Sequence, residues 1–214
     1  EAVSVHSPKL LFLTSPNNPD GGLISDEELC TLLALPIIVI LDEAYIEFAG
    51  IEKSRLDWVL EHANLIVLRT FSKWAGLAGM RVGYGAFSIG LLQALWKIKQ
   101  PYNVSVAATE AALVSLADSS NILQVVSEIR SERKRLSQML GRLPFVFPYP
   151  SHGNFLLCQV KGMSGLSLYQ ALSAEGVLVR YFDKPRLRDH IRISVGLPQH
   201  TDFLATILSR ISKK

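Results

Sequence analysis

Two apolar runs, IIVIL at 37–41 and LIVL at 65–68, constrain this chain more than any other feature of its sequence. A strand with one wet face alternates apolar and polar residues. A strand that is apolar throughout has to be covered on both faces, as strands of parallel sheets are. Helix signals separate the runs. Ser25 and Glu28 have the spacing of a capping box, Asp26 and Glu27 suit the positive end of a helix, and Leu29, Leu32 and Leu33 share one face before Pro36. LLFLT, ahead of the turn SPNNPDGG, reads as a short buried strand, and VGYGAF as a fourth strand. A short helix is predicted around Arg55 to His62. Strands alternating with helices give an α/β fold with a mainly parallel sheet. In such sheets ligands bind beyond the carboxyl ends of the strands. Here those ends deliver Asn17 and Asn18, then Asp42 and Tyr45, then Thr70, Ser72 and Lys73.

The remainder reads as a second unit. Helical patterns cover 106–117 and 121–140, and the prolines and glycines of LGRLPFVFPYPSHGN break helix and mark a boundary near 141–150. Beyond it NFLLCQV, VLVRYF and IRISVG read as strands. LSLYQALSAEG reads as a helix closing on Gly176, and the tail from Asp202 as a last helix. The expected domains are 1–142, built on the parallel sheet, and 143–214, a small α+β domain.

Composition excludes several function classes. Hydrophobic residues make up 49% and charged residues 19%, enough to bury a core in 214 residues. The net charge of +3 is scattered apart from RSERKR (130–135), which reads as a solvated helix face and not a nucleic-acid patch. No apolar run reaches membrane-spanning length, so no membrane partner is expected. Cys30 and Cys158, each in an apolar segment, read as two buried thiols of a reducing compartment. The five histidines show no metal spacing, so no metal is expected. The chain opens EAVSVHSPK without Met, which reads as a piece of something longer.

The polar residues at the strand ends fit one chemistry. The glycines at 76, 79, 83 and 85 do not match G-x-G-x-x-G, and no G-x-S-x-G elbow is present. Alone, Lys73 reads as a surface lysine, and Asp42-Glu43 as a loop cap or salt bridge. Pyridoxal 5'-phosphate needs a lysine for its carbonyl, a carboxylate for its pyridine nitrogen, donors to its phenolate oxygen, and hydroxyls with an arginine for its phosphate. Lys73, then Asp42, then Tyr45 with Asn18, then Thr70 and Ser72 with Arg81, supply one group for each task.

The segments SPNNPDGG, LDEAYIEF, RTFSKWAGLAGMRVGYG, KQPYNVSVAA and HIRISVG resemble the fold-type-I pyridoxal-phosphate aminotransferases, and among these the histidinol-phosphate aminotransferase family in its plant-like form. The resemblance runs over essentially the whole chain. It implies that Lys73 is the catalytic lysine, that Asp42 pairs with the pyridine nitrogen, and that Tyr45 and Asn18 reach the phenolate oxygen. Thr70, Ser72 and Arg81 match positions around the cofactor phosphate. Arg192, Arg180 and Asn18 match substrate-binding positions, the two arginines suiting a dianion. The implied reaction exchanges L-histidinol phosphate and 2-oxoglutarate for imidazole-acetol phosphate and glutamate, in a homodimer when full length. Plant relatives imply a plastid stroma, other relatives a cytoplasm. The resemblance also implies a large N-terminal section that this chain lacks, so weak cofactor binding and little turnover are expected of it alone. Other fold-type-I enzymes stay open, namely an aromatic or broad amino-acid aminotransferase or a threonine-phosphate decarboxylase. A non-catalytic truncated module stays open as well.

Overall fold

In the computed structural model, which describes residues 2–212, the two apolar runs lie side by side as neighbouring parallel strands. Helix α1 (Ala2–His6) leads into β1 (Leu10–Thr14), followed by α2 (Asp26–Leu33), β2 (Ile38–Asp42), the single turn α3 (Ile46–Ala49), β3 (Leu65–Thr70) and β4 (Gly83–Phe87). The sheet order is β1-β2-β3-β4, with β1, β2 and β3 parallel and β4 antiparallel to β3. Register pairs Thr14 with Asp42 and Asp42 with Leu68, so β1 and β2 end level and β3 runs two residues past them to Thr70.

Alternation along the strands sorts the side chains. Val39 and Leu41 of β2 with Leu65 and Val67 of β3 face Leu29 and Leu33 of α2 and Val59, a buried cluster. Each such leucine or valine contributes about 1.5–3 kcal/mol by leaving water. The expected capping box is present: Ser25 Oγ accepts from Glu28 N–H, and Glu28 Oε2 accepts from Ser25 N–H at 2.9 Å.

The chain then passes through α4 (Ile89–Trp96) and α5 (Val106–Ala117) into the long helix α6 (Ser119–Leu140). After it come β5 (Val146–Pro148), β6 (Phe155–Val160), α7 (Gly165–Ala174), β7 (Arg180–Tyr181), β8 (His190–Ser194) and α8 (Pro198–Ile211). The second sheet runs β5-β6-β8-β7 and is antiparallel throughout. Its core gathers Leu136 and Leu140 of α6, Leu156 and Cys158 of β6, Leu168 and Leu172 of α7, and Ile207 and Leu208 of α8. Gly176 closes α7 at φ 79°, its N–H donating to Ser173 C=O while Val177 N–H donates to Leu172 C=O. The chain divides into two compact units, residues 1–17 with 23–124, and 18–22 with 125–214. The loop at 141–150 lies inside the second unit.

Four expectations are corrected. Strand β1 is not buried: Leu11 and Leu13 pack on the core, whereas Leu10 and Phe12, on the other face, are 49% and 68% exposed. The helix expected at 55–62 is replaced by 3-10 turns at Ile51–Lys53 and Leu56–Leu60. Side chains take the first donors there, Glu43 accepting from Arg55 N–H and Ser54 Oγ from Leu56 N–H, which competes with helical pairing. Cys30 is exposed and only Cys158 is buried, because Leu29 and Leu33 hold the inward face of α2 and the next position turns about 100° away. RSERKR is not a wholly solvated face. Six successive residues wrap more than one turn of about 3.6 residues, so Glu132 points inward and Arg133 is half-buried.

Candidate functional site

In the first unit the carboxyl ends of β2 and β3 gather the expected residues. Asp42 closes β2, and its Oδ1 accepts from Ala44 N–H at 3.0 Å, which turns the chain away from the sheet. Tyr45 follows, 8% exposed, at the start of α3. Thr70 closes β3, and its Oγ1 accepts from Ser72 N–H at 3.0 Å, bending the backbone so that Lys73 leaves the strand direction. Lys73 is exposed, and its Nζ lies 5.5 Å from the centre of the Tyr45 ring, within cation–π range. Arg81 sits in the left-handed region at φ 55°, its Nη1 donating to Ala78 C=O at 3.1 Å. For a non-glycine residue that conformation is uncommon, and such residues concentrate at functional sites. Asp42, Tyr45, Thr70, Ser72, Lys73 and Arg81 thus belong to one compact unit.

Asn18, Arg180 and Arg192 belong to the second unit. Arg192 of β8 donates from Nη1 to Asn18 Oδ1 at 2.6 Å, and its guanidinium carbon stands 5.0 Å from the Phe155 ring centre. The Asn18–Gly22 turn is held there by His152 N–H donating to Gly21 C=O. Arg180 pairs with Arg192 in the β7–β8 register, so both guanidinium groups start from adjacent strand positions.

Beneath the strand ends of the first unit lies a buried ionic cluster that the sequence pattern did not single out. Arg69 of β3 donates from Nη2 to Glu47 Oε1 at 2.6 Å and from Nη1 toward Glu43 Oε2 at 3.4 Å, all three side chains being at most 5% exposed. Ser54 Oγ and Arg55 N–H each donate to Glu43 at 2.6 Å. Burial pushes the carboxyls of Glu43 and Glu47 up, Arg69 acting against it. The signal was available: an arginine inside LIVLRT, and acids four apart in DEAYIEF.

Comparison with known proteins now bears on this geometry. The family model for aminotransferase class I and II matches residues 1–207. Histidinol-phosphate aminotransferase 1, chloroplastic, of Arabidopsis thaliana is 51% identical over 211 residues, which is 98% of this chain and 50% of that protein. The chloroplastic histidinol-phosphate aminotransferase of Nicotiana plumbaginifolia is 52% identical over 97% of this chain and 50% of its own length. This chain therefore spans about half the length of those curated relatives. Among solved structures, the histidinol-phosphate aminotransferase from Clostridium acetobutylicum matches 99% of this chain and 66% of its own, with a TM-score of 0.89 and 26% identity. That from Sinorhizobium meliloti, in complex with pyridoxal-5'-phosphate, matches 99% of this chain and 59% of its own, with a TM-score of 0.86 and 30% identity.

Proposed function

The chain belongs to the aminotransferase class I and II family, and from that premise we propose that it carries the cofactor lysine and substrate arginines of a histidinol-phosphate aminotransferase. The observation that carries the reading is Lys73: its Nζ lies over the Tyr45 ring, just past the end of the strand adjacent to Asp42.

The donor set fits pyridoxal 5'-phosphate. An amine, a carboxylate and a phenol stand at adjacent strand ends, and a hydroxyl pair is accompanied by an arginine held in the left-handed region. When bound, that group supplies a protonated pyridine ring that accepts the electron pair left as the amino-bearing carbon loses its proton. Lys73 would hold the cofactor carbonyl carbon through Nζ, and its amine, when free, would serve as the base that moves the proton at the substrate α-carbon. Asp42 would accept from the pyridine N–H and keep it charged. Tyr45 would donate to the phenolate oxygen, the role the resemblance also gives Asn18, and Thr70, Ser72 and Arg81 would donate to the phosphate. Arg192 and Arg180 face the substrate phosphate or the glutamate carboxylates, the fork of each guanidinium matching two anionic oxygens. The amino group of L-histidinol phosphate passes to 2-oxoglutarate, giving imidazole-acetol phosphate and L-glutamate.

Residues 1–142 then form part of the cofactor-binding domain and 143–214 the small domain. The plant relatives named chloroplastic support a plastid compartment, and the homodimer is what the family resemblance implies for the full-length protein. Among the described residues no helix is long and apolar enough to cross a membrane.

The test is chemical. The chain is incubated with pyridoxal 5'-phosphate, reduced with borohydride and mapped by mass spectrometry. At excess cofactor, pyridoxyl label confined to Lys73 and absent from Lys73→Ala is the expected result. Label scattered over surface lysines would reduce the motifs to ancestry and leave a non-catalytic chain.

A further inference from the structure

The Arg69 cluster is built at an energetic disadvantage that core packing alone does not require. Burying a guanidinium and two carboxylates costs desolvation that their mutual attraction only partly offsets, and well-packed apolar residues often serve a fold better. The cluster is not even fully satisfied: Glu47 Oε2 and Arg69 Nε are buried without hydrogen-bond partners. Its members lie within two residues of the proposed cofactor residues in the chain. Glu43 follows Asp42, Glu47 stands two residues after Tyr45, and Arg69 precedes Thr70. Alternation puts Arg69 on the same face of β3 as Val67 and Leu65, so Thr70 and, on β2, Asp42 project to the opposite face.

We propose that Arg69 is a positioning residue: by clamping Glu43 and Glu47 beneath the sheet, it fixes the backbone from 42 to 47 and thereby aims Asp42 and Tyr45 at the cofactor ring on the other face. The clamp has the reach for it. Glu43 N–H donates to Leu68 C=O at 2.9 Å, continuing the β2–β3 ladder past Asp42, and Glu43 also holds Ser54 and Arg55 through its two oxygens. Both ends of the 43–55 loop are therefore tied to β3 through side chains that cannot reorient without leaving Arg69 buried and unpaired. A carboxylate displaced from the pyridine nitrogen by about an ångström loses much of its effect, which gives the arrangement a use.

The inference rests on the pyridoxal-phosphate reading, so the experiment separates the two. Wild type, Arg69→Met, Arg69→Lys and Glu47→Gln are each titrated with pyridoxal 5'-phosphate. Affinity is read from the visible band, the pH midpoint of that band is followed, and thermal unfolding is recorded in parallel. Arg69→Met is expected to bind at least about tenfold more weakly and to shift the pH midpoint while still unfolding cooperatively. Arg69→Lys is expected to recover part of both. If Arg69→Met does not fold, Glu47→Gln, equal in size and uncharged, is expected to show the same midpoint shift. Variants that fold, bind with wild-type affinity and keep the wild-type midpoint would overturn the positioning role, leaving the cluster purely structural. A wild type that never labels at Lys73 would overturn the reading beneath it, and the inference with it.

Discussion

Arg192 donates to Asn18 at 2.6 Å, joining residues 174 apart in sequence and tying the 18–22 segment to β8 in one unit. If Arg192 reads an anionic substrate group, Asn18 sets its aim. Arg192→Lys, which loses the planar fork, is expected to weaken L-histidinol phosphate binding at least about tenfold, and Asn18→Ala by a smaller factor. The double variant is expected to lose less than the product of the two factors, since residues in contact couple. Calorimetric titration of the four proteins closes the cycle, and strictly multiplicative losses would show that the bond does not serve binding.

Gly83 opens β4 where the chain returns beside Thr70. A Cβ there would stand 2.6 Å from the carbonyl oxygen of Arg69, a backbone atom of the neighbouring strand. Gly83→Ala is expected to cost about 2 kcal/mol or more, because the β3–β4 pair has to move apart. At Gly79, where a Cβ would meet nothing within 4 Å, alanine is expected to change stability by about 1 kcal/mol at most. Urea unfolding of both variants checks the contrast, and equal midpoints would refute the close approach.

Where a residue's position follows from strand period or cap chemistry, the sequence was legible. Continuous apolar runs located β2 and β3, and the alternation with helices gave their parallel pairing. Ser25 and Glu28 fixed the start of α2. Gly176 fixed the end of α7. Lys73 and Tyr45 were legible as neighbours of Asp42 because the parallel pairing of β2 and β3 brings the residues that follow both strands to one edge. What escaped depended on partners distant in sequence. Arg69 reads as one more polar residue at the end of a strand until Glu43 and Glu47, 26 and 22 residues earlier, are seen to meet it. The same holds for Glu132, turned inward to Thr201, 69 residues on, and for the 3-10 turns that Glu43 holds in place of a helix. The exposed face of β1 escaped for a different reason, since an apolar run states that cover is needed and not what supplies it. Helix α4, apolar nearly all round in SIGLLQALW, gives no period to read.

The two cysteines are expected to differ in reactivity by their burial. Cys30 stands exposed on α2, whereas Cys158 is fully buried in β6 with its thiol pushed up to about 12 by burial. The thiolate is the reactive form, so Cys158 offers almost none at neutral pH. A thiol titration of the native chain is expected to count one group rapidly and the second only in denaturant. Two fast groups would place Cys158 at an accessible surface and contradict the packing of the second core.

The Glu43–Glu47 pair gives the first unit a pH dependence of known sign. Burial raises both carboxyls above the ordinary value of 4.5, so the folded chain holds their protons more tightly than the unfolded chain does. Such a group contributes stability that is complete below the ordinary value and is lost as pH rises through the raised one. Glu132 has the opposite sign, because its hydrogen bonds with Arg135 lower it and its contribution is lost as pH falls. Glu47→Gln removes one titrating member of the pair and leaves Glu132 untouched. The melting temperature of the variant relative to wild type is therefore expected to climb as pH rises from the ordinary value of 4.5 through the raised one, wild type alone carrying the growing cost of an ionised Glu47. Scanning calorimetry of both proteins across that window reads the difference. Parallel curves would mean that Glu47 ionises as easily in the folded chain as in the unfolded one, and that Arg69 fully compensates its burial.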